Sequence, residues 1–252
     1  MALSVAIVCR NNEATIARTL GSVRGLADEI VAVDSGSTDG TIALLERHGA
    51  RVISSEWKGH VATKQMALEA CGEPWVLCLD SDESLDGRLA GSVRETVARD
   101  DPALGGCRVN RKVWYLGGYL NHAWQPEWRL RLVRRGSARW TGSDPHDRLE
   151  LTRGRSLDLA GTLRHDSFER IADHFRAQAQ HARVAAESIA GAGGRGSYCR
   201  LMGSPVGAFM KQMVLKSAWR DGARGWAAAA STAAGSLMKH AILIELTRTG
   251  RD

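Results

Sequence analysis

Four short apolar runs, each ending in polar residues and each separated from the next by a helix-length segment, constrain this chain more than any other feature. Residues 3–9 read Leu-Ser-Val-Ala-Ile-Val-Cys, 29–33 Glu-Ile-Val-Ala-Val, 51–53 Arg-Val-Ile and 75–79 Trp-Val-Leu-Cys-Leu. Short runs rich in β-branched residues fit parallel strands buried on both faces. Between them, Ile16, Leu20 and Val23 share one helical face, with Asn11 or Asn12 as N-cap. Ile42, Leu44 and Leu45 mark a second helix, and residues 59–70 a third. The alternation predicts a parallel sheet with helices on both faces, in which ligands bind beyond the carboxyl ends of the strands. Polar residues stand at those ends: Arg10-Asn11-Asn12, Asp34, and Asp80-Ser81-Asp82-Glu83.

The chemistry of those ends narrows the ligand. Neither G-x-G-x-x-G after the first strand nor a G-x-x-x-x-G-K-[ST] loop is present, which speaks against a Rossmann dehydrogenase and a P-loop NTPase. Acids stand there instead. Asp80 and Asp82, one residue apart, can hold a hard divalent cation, Mg2+ or Mn2+, against diphosphate oxygens. Solvated loop acids are the plain alternative, but the position after an apolar strand, third in a series of polar strand ends, favours metal binding. Asp34 fits either a turn aspartate or a ligand contact, and Asp39 before Gly40 reads as a turn and helix start.

Three segments carry a resemblance. Ser-Val-Ala-Ile-Val-Cys-Arg-Asn-Asn-Glu at 4–13, Ile-Val-Ala-Val-Asp-Ser-Gly-Ser-Thr-Asp-Gly-Thr at 30–41 and Val-Leu-Cys-Leu-Asp-Ser-Asp-Glu at 76–83 resemble the nucleotide half of family 2 glycosyltransferases. Farther along, Tyr115-Leu116-Gly117-Gly118, the run 129–135 and Pro145-His146-Asp147-Arg148 are similar to the branch that includes lipopolysaccharide core glycosyltransferases. The resemblance implies a GT-A-like, mostly parallel sheet flanked by helices, with a C-terminal helical extension. It implies a D-x-D metal pair in Asp80 and Asp82, with His165 facing the same site. Asn11, Glu13, Asp34, Lys64 and Asp80 would lie along the nucleotide. Related enzymes carry His-Glu where this chain has His146-Asp147, so Asp147 becomes the expected base and His146 its orienter or alternative. The implied reaction is metal-dependent, inverting transfer of a sugar from a nucleotide-sugar donor to a saccharide acceptor, in lipopolysaccharide or another envelope glycan. A lipid-phosphate acceptor is the runner-up.

Charge divides the chain. Residues 1–100 hold ten Lys and Arg against fifteen Asp and Glu, whereas 101–252 hold twenty-four against thirteen. The basic half suits an anionic partner: phosphorylated substrate, lipid headgroup or nucleic acid. Within 107–150 tryptophans sit among arginines, a pattern that grips sugars and phosphates and could also bind RNA. An RNA-binding reading leaves the acidic strand ends unexplained, because carboxylates repel phosphates unless a cation intervenes, so no nucleic acid is expected. Trp114 and Trp140 read as core, whereas Trp124, Gln125 and Arg131 are the expected acceptor contacts.

The expected organisation is a catalytic domain over 1–166, divided into a nucleotide half (1–100) and an acceptor half (101–166), followed by helices over 167–252. A last strand is expected at 157–164 and a helix after Pro205. The later helices combine Phe209, Met210, Met213 and Trp219 with Lys211, Lys216, Arg220 and Arg224, which suits either an anionic membrane face or a helical cap. Five widely spaced cysteines with no C-x-x-C pair favour reduced thiols. With no basic leader and no long uninterrupted apolar run, the expected place is the cytoplasm or the inner face of the cell membrane.

Overall fold

A computed structural model of the chain describes residues 2–142, 147–167 and 171–248. The chain forms two compact units, one of 1–112 with 127–166 and one of 113–126 with 167–252.

The first unit opens with the expected alternation: β1 (Leu3–Cys9), α1 (Glu13–Ser22), β2 (Glu29–Asp34), α2 (Thr41–Arg47), β3 (Arg51–Ser54), α3 (His60–Glu69) and β4 (Trp75–Asp80). The four strands are parallel in the order β3-β2-β1-β4. Their register aligns their ends. Cys9 lies opposite Asp34, Asp34 opposite Ser54, and Val8 opposite Asp80, so the polar terminations of separate strands meet along one rim. Because side chains alternate across a strand, Leu77 and Leu79 pack with Ile16, Leu20 and Leu89 on one face. Val76 and Cys78 pack with Ala67, Leu68 and Trp140 on the other. Both faces are covered, which is why the strands read as continuous apolar runs.

Beyond β4 come β5 (Glu83–Leu85), α4 (Gly87–Arg99), β6 (Leu104–Tyr115), the short β7 (Gly118–Tyr119) and β8 (Trp128–Arg134). Asp86 caps α4 by accepting the Leu89 N–H at 2.7 Å. Strand β8 runs antiparallel between β4 and β6. A hairpin of β9 (Ala138–Thr141) and β10 (Arg148–Leu151) follows, then β11 (Arg155–Asp158) and β12 (Leu163–His165). The result is the α/β, mostly parallel, helix-flanked sheet that the sequence predicts.

The single strand expected at 157–164 is two strands. Gly161, at φ +113°, turns the chain where an added Cβ would lie 2.3 Å from the Leu89 nitrogen, a position only glycine tolerates. Strand β11 pairs parallel with β6, and β12 turns back to pair antiparallel with β5, setting His165 opposite Glu83.

In the second unit α5 (Ile171–Gly191), α6 (Tyr198–Met210) and α7 (Ala223–Arg248) pack together, with a π-helical turn (Lys211–Leu215) and a 3-10 turn (Ala218–Asp221) between the last two. Helix α6 begins seven residues before Pro205 and carries it inside, contrary to the sequence expectation. Contact with α7 overrides the local preference: Gly196 lies against Ile244, and its N–H donates to Thr247 Oγ1 at 3.1 Å. Segment 113–126 belongs here because Asp221, buried, accepts the N–H groups of Asn121, His122 and Ala123. No helix among the described residues is long and apolar enough to cross a membrane.

Candidate functional site

Three clefts run along the rim of the first unit. One of about 570 Å³ is lined by Asp34, Ser35, Gly36, Ser37, Ile42 and Trp57. A second, of about 500 Å³, is lined by Asn12, Trp57, His60, Lys64, Asp80, Asp82, Asp147 and His165. A third, of about 310 Å³, has Lys64, Asp80, Arg111, Trp128, Arg129, Arg131, Asp147 and Arg148 in its wall. Lys64, Asp80 and Asp147 belong to both of the last two.

The walls of the first cleft are tied together by the residues expected along the nucleotide. Asp34 is buried and accepts the N–H groups of Gly36 and Ser37, each at 2.9 Å, together with the Ser37 hydroxyl. Asn11 accepts the Thr38 N–H at 2.8 Å, and its own N–H donates to Ser37 Oγ. Glu13 accepts the Gly40 N–H at 3.0 Å. Asp39 accepts both the N–H and the hydroxyl of Thr41, the turn and helix-start role read from Asp-Gly. Asn11, Glu13 and Asp34 therefore shape the 36–40 loop, and Asp34 also lines the cleft it bounds.

The D-S-D-E turn is held from three sides. Asp80 donates its N–H to Glu83 Oε2 at 3.1 Å, and the Ser81 carbonyl accepts from Thr19 Oγ1. The Asp166 N–H donates to the Asp82 carbonyl, which brings the end of β12 alongside. His165 Nε2 thereby comes within 3.3 Å of Asp82 Oδ2. Glu83 is fully buried and accepts from Arg131 at 2.9 and 2.6 Å and from Arg111 at 3.2 Å. Sequence reasoning did not single out Glu83. No sequence signal marked it: its strand reads Glu-Ser-Leu, and only the fold buries all three residues, so that the acid has to be paired.

Lys64 projects from α3 into this acidic ground. Its Nζ lies 2.6 Å from Asp80 Oδ1 and 2.8 Å from Asp147 Oδ2, and 4.7 Å from the Trp140 ring centre. Burial works to discharge the ammonium, but Asp80 and Asp147 outweigh it and hold the Lys64 pKa above the ordinary lysine value. Burial likewise opposes the charge of Asp80, and Arg131 and Lys64 reverse that, drawing its pKa well below the usual carboxylate range. Arg131, buried, is held charged against its own desolvation by Glu83 and Asp80.

Of the expected acceptor contacts, Arg131 is thus bound up in ion pairs, although it contributes to the wall of the third cleft. Trp124 and Gln125 are in the second unit. The Trp124 indole N–H donates to Thr232 Oγ1 at 3.0 Å, and its ring stands edge-on to His174. Gln125 is buried, and its carbonyl accepts from Lys216. The exposed tryptophan of the third cleft is Trp128, which sequence reasoning passed over. Trp140 is core as expected, whereas Trp114 is half-buried against Tyr119. His146 lies outside the described residues. Burial pushes the thiols of Cys9, Cys71, Cys78 and Cys107 up to about 12, so they stay protonated and do not enter the chemistry.

Among the described residues no group of three or more His, Cys, Asp and Glu side chains could hold a metal ion. Asp82 and His165 nevertheless supply one oxygen and one nitrogen donor at a cleft edge. Such a pair suits Mg2+ or Mn2+ when a bound diphosphate and water complete the shell.

The family model described as glycosyl transferase family 2 matches residues 4–156. The lipopolysaccharide core biosynthesis glycosyltransferase LpsC of Rhizobium meliloti is 31% identical over 231 residues, covering 89% of this chain and 85% of that protein. The chain belongs to glycosyl transferase family 2. An uncharacterized glycosyltransferase of Rickettsia felis is 41% identical to this glycosyltransferase over 91 residues, covering 36% of this chain and 32% of that protein. Among solved structures, the mannosyltransferase PcManGT of Pyrobaculum calidifontis, in complex with GDP-Man and Mn2+, is similar with a TM-score of 0.49 and 18% identity. That match covers 95% of this chain and 75% of the other.

Proposed function

We propose that this family 2 glycosyltransferase is metal-dependent and inverting, and moves a sugar from a nucleotide-sugar donor to a saccharide or glycolipid acceptor of lipopolysaccharide or another envelope glycan. With a glycolipid acceptor the reaction takes place at the cytoplasmic face of the cell membrane. The observation that carries the reading is the convergence of Asp82 and His165, beside Asp80, in the wall of the second cleft where the parallel strands end.

The nucleoside enters the cleft bounded by Asp34 and the 36–40 loop, and the diphosphate reaches the edge held by Asp82 and His165. Asp82 and His165 would hold a divalent cation, which would supply positive charge opposite the leaving diphosphate. Asp147 takes the proton of the acceptor hydroxyl as that oxygen attacks the anomeric carbon from the side opposite the leaving group, which inverts the centre. Lys64 holds Asp147 in place before substrates arrive, and a diphosphate beside Asp80 then competes for its ammonium. Arg131 fixes Asp80 through its double grip on Glu83. Trp128 and Arg129 offer an aromatic face and a cation to the acceptor.

A thermal-shift screen of nucleotide sugars with and without Mn2+ tests this. One donor should raise the melting temperature only with the metal, by the equivalent of about 2.7 kcal/mol at a hundredfold excess over Kd. Asp82→Asn should abolish that rise while melting normally without ligand. If no nucleotide sugar shifts the protein under either condition, the reading fails.

A further inference from the structure

Helix α6 has no buried residue. One of its faces is nonetheless partnered, since Gly196, just before it, lies against Ile244 of α7 and Phe209 meets Trp226 at 5.9 Å between ring centres. The other face is apolar and open. Met202, Val206 and Met210 recur every fourth residue along it, which forms one stripe on a helix. Beyond the helix, Leu215 of the π-helical turn and Trp219 of the 3-10 turn are exposed as well. These five side chains are 48% to 77% exposed. Large apolar side chains exposed together in this way mark a place where something else sits.

The charges around the stripe say what. From 188 to 220 the chain contains no Asp or Glu, but has Arg195, Arg200, Lys211, Lys216 and Arg220. The next acid, Asp221, is buried and turned onto the backbone of 121–123 and onto His122, so it offers no counter-charge outward. Arg200, Lys211 and Arg220 are exposed. A second copy of the chain is a poor occupant, because a two-fold contact would press the same cations against one another. Methionine, valine and tryptophan in a segment whose exposed charges are all cationic match a bilayer whose headgroups are anionic: the apolar groups enter the headgroup–acyl boundary and the cations meet lipid phosphates.

We propose that the open face of residues 200–220 is a membrane-docking surface for anionic phospholipid, with Met202, Val206, Met210, Leu215 and Trp219 as the inserted groups and Arg200, Lys211 and Arg220 as the headgroup contacts. This deepens the glycolipid reading by giving the enzyme the surface on which such an acceptor is carried.

The test is co-sedimentation of the full chain with phosphatidylcholine vesicles, with and without phosphatidylglycerol. No donor, metal or acceptor is present, so the outcome is independent of the transfer reaction. Wild type should pellet with the anionic vesicles and stay in solution with the neutral ones, and added salt should release it. Arg200→Gln, Lys211→Gln and Arg220→Gln together should lower the partition coefficient on the order of a hundredfold, from about 1 kcal/mol per basic residue. Met202→Gln, Val206→Gln and Leu215→Gln should also release the protein. All six positions are exposed, and unchanged circular dichroism and melting would verify folding. Wild type remaining in solution with anionic vesicles would overturn the proposal, as would full binding by the apolar variant. So would a centrifugation result in which wild type is a dimer and the apolar variant a monomer, with no difference on vesicles. Donor-dependent thermal shifts that persist in both variants would separate failure of this surface from failure of the transferase reading.

Discussion

Replacing Arg131 by methionine probes the support beneath the D-S-D-E turn. The guanidinium is 4% exposed and Glu83 fully buried, and two hydrogen bonds of 2.9 and 2.6 Å join them, with a third of 3.0 Å to Asp80. Methionine fills much of the volume but removes the charge. Glu83 is then left with Arg111 at 3.2 Å, and Asp80 with Lys64. Breaking a buried ion pair from one side costs about 3–5 kcal/mol, chiefly because the remaining charge stays desolvated. At about 2–4 °C per kcal/mol for a chain of this size, the melting temperature should fall by about 6–20 °C. Glu83→Gln should cost a similar amount. The double variant removes both charges, so its loss in urea unfolding, followed by tryptophan fluorescence, should be smaller than the sum of the two singles by about 2 kcal/mol. An Arg131→Met loss below about 1 kcal/mol, or strict additivity, would refute the idea that this pair organises the turn.

Acid should loosen the same region. Glu127 is driven down to about 2 against its own burial by Arg111 and Arg129, so its contribution is complete above its unfolded value of 4.5 and is lost as pH falls from there toward 2. Stability should decline by something on the order of 3 kcal/mol across that window, and Glu127→Gln, less stable at neutral pH, should show a flatter decline. A variant with the wild-type acid profile would discount Glu127. Asp147→Asn should lower kcat by about 10²–10⁴ with donor Kd nearly unchanged. A normal kcat would exclude Asp147 as the base.

Much of the fold was legible because it follows from local pattern. The β-branched runs marked β1, β2 and β4, and their polar ends placed Asp34, Asp80 and Asp82 on one rim without any long-range information. The partners of these groups were not legible. Lys64 was expected beside the nucleotide from the resemblance alone, and its contact with Asp147 joins positions 83 apart. The Arg131–Glu83 pair spans 48. Arg129, Leu130 and Arg131 alternate as a strand should, yet periodicity does not say that the Arg131 face would be buried against acids. Gly161 interrupts what reads as one strand because Leu89 occupies the space a side chain would need. Trp124 and Trp128 look alike in sequence, and only the tertiary fold sends Trp124 to the Thr232 hydroxyl and leaves Trp128 exposed beside the arginines.

One feature of the first unit reaches beyond catalysis. Asp147, Lys64, Asp80, Arg131, Glu83, Arg111, Glu127 and Arg129 touch in that order, acid and base by turns, four of each. A neutral row of this kind tolerates exchange of neighbouring opposites far better than loss of any single member. Drift at these positions must therefore travel in compensating couples, and an engineer who recuts the third cleft inherits the same parity rule.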